Sequence, residues 1–225
     1  MLEFEPFFLT LKLALATTII LFIIGVPIAY WLAFSTAKWK VVPEAIVGLP
    51  LVLPPSVLGF YLLLAFSPEN AIGRFFESYF DLRLVFTFPG LVIASVIYSL
   101  PFMVQPLQTG FSTVPQPLVD AAYTLGKSRS TVLTRVLLPN MKAALISGCI
   151  LSFAHTIGEF GIVLMVGGNI PHETRVISVV IYDEVEAMNY NQANVYSSVL
   201  LIFSLLVLVS VYSVNRRMQK VPYQS

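Results

Sequence analysis

Charge is what this chain has least of. Only 13 of its 225 residues are Lys or Arg and 12 are Asp or Glu, 11% together, against roughly 25% in soluble domains. A chain this poor in charge cannot clothe a water-facing surface of its own. Cysteine is almost missing: Cys149 stands alone, so no intrachain disulfide can staple the fold. The net charge of +1 supplies no electrostatic drive toward nucleic acid, and no nucleic-acid partner is expected. The low hydrophobicity of disordered chains is absent too, because 57% of residues are hydrophobic and the mean hydropathy is +0.83. What remains is a protein whose solvent is lipid.

A helix crossing the hydrocarbon core needs roughly 20 apolar residues. Runs without Asp, Glu, Lys or Arg cover 13–37, 45–68, 84–119 and 187–215, and a fifth, 143–171, is interrupted only by Glu159. The expected fold is therefore an all-α integral membrane protein, a single domain over 1–225 with five spans near 8–36, 45–66, 87–111, 142–167 and 194–215. The stretch 176–188 is too short and acidic to span and reads as a re-entrant or interfacial helix. The first run lacks the basic start and small-residue cleavage site of a leader, so it is expected to stay in the membrane.

Lys and Arg set the orientation. Lys38, Lys40, Lys127, Arg129, Arg135, Lys142, Arg216, Arg217 and Lys220 fall on one side and Arg74, Arg83 and Arg175 on the other, with Lys12 near the start of the first helix. Nine against three places the C-terminus in the cytoplasm and the N-terminus outside. Tyr30, Trp31 and Trp39 beside Lys38 and Lys40 read as anchors at the inner interface.

The long cytoplasmic segment, about 113–140, is patterned too regularly for a linker. Pro115 and Pro117 suit a helix start, and Leu118, Ala121, Ala122 and Leu125 recur at helical spacing. Gly126 fits the left-handed position that closes a helix. Ser128 or Ser130 can cap a second helix bearing Val132, Leu133, Val136 and Leu137, which Pro139 is expected to stop. An apolar face left in the cytoplasm wants a protein partner. Gly126-Lys127-Ser128 looks like the end of a P-loop, but position 121 holds Ala121 where that motif needs glycine, and no strand precedes it. A helix-turn-helix DNA reader is disfavoured because positive-inside bookkeeping already accounts for the basic residues.

Asp120-Ala121-Ala122, then Gly126, then Val136, Leu138 and Pro139, resembles the EAA loop of ABC-importer permeases, with Asp for Glu and Val for Ile. The stretch 49–59 (LPLVLPPSVLG), Gly158-Glu159-Phe160-Gly161, Asn169-Ile170-Pro171 and Thr174-Arg175 resemble molybdate-type permeases. His172 stands where that family commonly has glycine. Sulfate and tungstate permeases are similar. The resemblance, over about 8–215, implies a type I importer permease for an oxyanion, most simply molybdate. It implies a homodimer, two ATPase subunits on the cytoplasmic side and an oxyanion-binding protein outside. ATP and magnesium would belong to the ATPase, with no cofactor, metal or catalytic residue on this chain. Asp120, Ala121, Ala122, Leu125, Gly126 and Pro139 would form the coupling element in a bacterial or archaeal inner membrane.

Within the spans, three polar or strained features attract attention. Pro50, Pro54 and Pro55 remove backbone donors from the second span, and broken backbone in membranes tends to line cavities. Glu159 is the one acidic residue placed inside a span. At ~1.5 Å per residue it lies about 25 Å above Lys142, toward the outer leaflet. His155, one turn below, could pair with it on the same face. A structural hydrogen bond, a gate contact and a proton relay are all open, while like charge disfavours direct oxyanion ligation. The outer loop offers Asn169 and Arg175 as pathway residues and His172 as an anion or partner contact, with Thr174 a candidate helix cap. A proton-coupled secondary carrier using Glu159 and His155 is the alternative function; a membrane scaffold is a third.

Overall fold

The computed structural model describes residues 4–219, with side chains described except at 211 and 214–219. The side chains of Arg216 and Arg217, and the whole of Lys220, lie outside the described residues. The described chain is helical with no strand. Its centre is three mutually packed helices: α1 (Glu5–Phe34), α5 (Phe88–Thr113) and α9 (Lys142–Gly158). Between the first two come α2 (Val41–Val52), α3 (Pro55–Phe66) and α4 (Ala71–Phe80). Between α5 and α9 come α6 (Gln116–Thr124), α7 (Arg129–Val132) and α8 (Leu138–Asn140), the last two joined by a π turn, Leu133–Leu137. A second π turn, Val163–Gly167, then α10 (Ile177–Glu186) and α11 (Tyr190–Gln219) complete the chain.

The core follows from residue size at the helix contacts. Leu13, Leu21, Met103, Val104, Leu107 and Phe111 are fully buried. A methyl added to Gly25 would stand 2.8 Å from Met103 Cγ, so the absence of a side chain lets α1 and α5 approach. The start of α5 is tighter still. Thr87 caps it by accepting from the Gly90 amide at 3.4 Å, and a Cβ on Gly90 would lie 1.6 Å from the Leu84 carbonyl oxygen. α11 leans on α9 and α10 and presents Leu201, Ile202, Leu205, Leu206 and Val209 outward, as a lipid-facing helix should.

Among the described residues, three helices are long and apolar enough to cross a membrane: α1, α5 and the Tyr190–Ser210 part of α11. The number rises to five only if each of two bent pairs counts as one span. The expected second span is not one helix. The chain from Lys38 to Val52 meets α3 at 114°, because Pro54 and Pro55 leave Leu53 and Pro54 in extended conformation. Nor is the expected fourth span continuous to 167: α9 ends at Gly158, and Glu159 has extended backbone. α4 was not expected; it packs on α3 and carries Phe75, Tyr79 and Phe80 exposed. The 177–186 helix is short, as anticipated, and is held by burial of Ile177, Val179 and Val180 against its neighbours.

Candidate functional site

The two ends of the bundle carry different chemistry. At one end, the segment after α1 (35–37) faces α6 and α7 across a cavity, beside Lys38 and Lys40. At the other lie Arg83, Ile170, His172 and Arg175.

At the basic end, α6 closes as its residues dictate. Gly126 has φ +70, the Gly126 amide donates to Tyr123 O at 2.9 Å, and Lys127 donates to Ala122 O at 3.1 Å. Those paired bonds satisfy the last carbonyls of α6, and glycine takes the left-handed residue at least steric cost. Ser128 Oγ then accepts from Thr131 N at 3.3 Å and starts α7, as expected. Val119 and Ala122 face inward, whereas Leu118, Ala121 and Leu125 are exposed, Leu125 at 74%. Asp120 is also exposed, accepting from Gln116 Nε2 at 2.9 Å within its own helix. The apolar strip thus points away from the bundle.

Pro139 does not stop the second helix. The π turn ahead of it lets the Leu138 amide reach Leu133 O, and helical backbone continues to Asn140. The break comes at Met141, and α9 leaves at 79° to the 129–140 stretch. This segment is therefore bonded directly onto α9.

Deeper in the bundle, the two backbone breaks meet. A cavity of about 600 Å³ is lined by Pro55, Ser56, Tyr98, His155, Glu159 and Gly161, among others. A Cβ on Gly161 would be 2.7 Å from Pro55 Cβ, which is how closely the two breaks approach. Pro54, at the bend itself, is exposed. Glu159 is buried at 6% exposure. Its Oε1 accepts from Ile162 N at 3.0 Å, and its carbonyl accepts from Ser178 Oγ at 2.6 Å. The carboxylate thus caps the turn that restarts the helix.

The expected pairing of Glu159 with His155 does not occur. His155 Nδ1 bonds Ser99 Oγ at 2.9 Å, and its ring stacks on Phe102 with centroids 3.9 Å apart. Ser99 Oγ also bonds Thr156 Oγ1 at 3.1 Å. Because the helix ends at Gly158, the one-turn relation that would have brought the two residues together fails.

Asn169 and Arg175 are brought together, but away from that cavity and around a residue the sequence did not point to. Asp183 Oδ2 accepts from Asn169 Nδ2 at 2.6 Å and lies 3.4 Å from the Arg175 guanidinium. Arg175 is therefore charge-compensated. Thr174 does not cap α10. Fully buried, it donates to Gly167 O at 2.7 Å and accepts from Ile170 N at 3.1 Å, closing the loop on itself. His172 adopts φ +67, the left-handed region that suits glycine, and its Nδ1 contacts Glu5. Ser178, Ser99, Asp183 and Thr10, whose Oγ1 accepts from Ile177 N at 2.9 Å, carry no local sequence signal.

A multi-span bundle with interrupted helices and an exposed helical handle at its basic end is the architecture of a membrane transport subunit. Residues 9–220 match the family described as binding-protein-dependent transport system inner membrane component, and the chain belongs to that family. It is 48% identical over 208 residues to the molybdenum transport system permease protein ModB of Azotobacter vinelandii, covering 92% of each chain. It is 32% identical to the sulfate transport system permease protein CysT of Escherichia coli (strain K12), covering 92% of this chain and 75% of that one. Its fold is similar to a chain of the MetNI methionine ABC transporter, with a TM-score of 0.72 at 17% identity and 93% of both chains covered. It is also similar to a bacterial ABC transporter for alginate import, with a TM-score of 0.74 at 16% identity, covering 97% of this chain and 82% of that one. The all-helical permease fold and the inner-membrane setting expected from the sequence are those of this family.

Proposed function

We propose that this chain is the non-catalytic permease subunit of an ATP-driven oxyanion importer, with molybdate as cargo. Two copies line one pathway, an ATPase subunit docks on each at the basic end, and a binding protein delivers the anion at the opposite end. The basic end is cytoplasmic by the positive-inside rule, which sets the C-terminus inside and the N-terminus outside. ATP and magnesium belong to the ATPase.

The observation that carries this reading is the outward strip Leu118, Ala121 and Leu125 on α6, joined through the Gly126 turn, α7 and α8 to α9. A partner gripping that strip moves a span, which moves the backbone break at Glu159. Asp120 and Ala122 shape the helix, Gly126 closes it, and Pro139 lies in the junction. The pathway passes the cavity where Pro55 and Glu159 meet, with Pro54 at the bend; Asn169 and Arg175 brace the outer loop. The similarity to molybdenum and sulfate permeases supports a tetrahedral oxyanion as cargo.

The test is reconstitution in proteoliposomes with the cognate ATPase and binding protein. Molybdate-loaded binding protein is expected to raise ATP hydrolysis and drive molybdate uptake, with sulfate giving less of both. Uptake driven by a proton gradient alone, without the ATPase, would overturn the assignment in favour of a secondary carrier.

A further inference from the structure

A second cavity, of about 790 Å³, opens at the basic end between the end of α1 and the α6–α7 segment. Arg129 of α7, Tyr123 and Gln116 of α6, Tyr30 of α1, and Ser35 and Thr36 just beyond α1 supply its polar wall. Arg129 is exposed and has no carboxylate partner among the described residues. Tyr30 lies within electrostatic reach of both Tyr123 and Arg129. The apolar wall is Trp31 and Phe34, each more than a third exposed, at the end of a helix whose outer face shows Ile20, Ile23 and Ile24. Trp31 also packs on Trp39, centroids 5.3 Å apart, between Lys38 and Lys40.

A guanidinium with no carboxylate partner, in a cavity that hydroxyl side chains also line, suits an anion, because arginine presents forked donors to phosphate oxygens. Aromatic residues flanked by lysines mark the headgroup level of a bilayer. A phosphate at this depth, with an apolar track running from it along α1, belongs to an amphiphile. We propose that the cavity binds the headgroup phosphate of an anionic phospholipid, its acyl chains lying along Trp31 and the isoleucine face. The lipid bridges the end of α1 to the α6–α7 turn, and so braces the base of the segment assigned to ATPase docking. Only that last consequence rests on the permease reading; binding itself does not.

Native mass spectrometry of the purified permease–ATPase complex tests it, with added phosphatidylglycerol or phosphatidylcholine as probes. Retention of phosphatidylglycerol over phosphatidylcholine is expected. Arg129→Gln should lower that retention about fivefold, the equivalent of ~1 kcal/mol for one basic side chain at a lipid surface. Tyr123→Phe should lower it less, and serves if the first variant does not assemble. Arg83→Gln, at the other end, should leave it unchanged. Equal retention of the two lipids, or wild-type retention in both cavity variants, overturns the proposal. Displacement of the lipid by millimolar inorganic phosphate also overturns it, assigning the cradle to free phosphate. Because lipid retention is read without transport, its failure is distinct from failure of the importer assignment.

Discussion

The α1–α5–α9 core and the two backbone breaks solve the same problem by opposite means. In the core, the helical backbone supplies its own hydrogen bonds apart from the helix ends and the interior prolines Pro27, Pro101 and Pro106, and specificity comes from apolar shape, such as the Gly25–Met103 contact. At residues 53–54 and 159–160 the helices stop, and freed polar groups must find side chains or neighbouring backbone. Glu159 and Ser178 supply those bonds at the second break, and Thr174 does so in the loop beyond it. Close approach at Gly25 and Gly110 makes the core sensitive to added volume, whereas the second break depends on the bonds of Glu159 and Ser178.

The largest expected effect is at the entry to the core. Gly90→Ala places a methyl inside the Leu84 carbonyl, so no monodisperse protein should be recovered from the membrane by size-exclusion chromatography; wild-type yield would show that this turn can open. At the break, Glu159→Ala leaves the buried Ile162 amide without its acceptor, at a cost of about 1–3 kcal/mol. Glu159→Gln keeps an acceptor and should recover most of the loss in a thermal-shift measurement. If Gln were instead as damaging as Ala to uptake but harmless to stability, the carboxylate would have a role beyond capping.

Smaller effects separate the regions further. Gly126→Val forces a branched side chain into the left-handed region, at a cost of about 1–2 kcal/mol, with open space around it. It should therefore spare folding while reducing the cargo-stimulated fraction of ATP hydrolysis in the reconstituted complex; full stimulation would deny α6 its coupling role. The finest contrast is between two serines. Ser99→Ala removes bonds to His155 and Thr156 and should cost about 1 kcal/mol, whereas Ser152 Oγ is buried without a partner among the described residues, so Ser152→Ala should be neutral or stabilising. Equal losses in detergent melting curves would mean Ser152 has found a partner in the membrane.

How much was legible in the sequence depended on the range of the interaction. The close of α6 at Gly126 and the start of α7 at Ser128 were readable because capping acts over three or four residues. The prolines marked a bend in the second span for the same reason, though not its 114°. Glu159 was recognised as exceptional, but its partner was misread. Helical periodicity pointed to His155, and the helix ends one residue too early for that periodicity to hold. Pro139 was misread as a stop because a π turn upstream absorbs its missing donor. Asp183, between Asn169 and Arg175, left no local trace at all.

Composition and short-range spacing were enough to fix the solvent, the helical class, the segregation of basic residues and the turn that ends α6. Each of these is set by composition or by contacts within one helical turn. The packing of distant elements selected the rest: the two breaks share one cavity, His155 bonds Ser99, and Arg129 and Tyr30 line another. Those pairings join residues tens of positions apart, and no local propensity selects among the many helix packings that bury the same apolar faces.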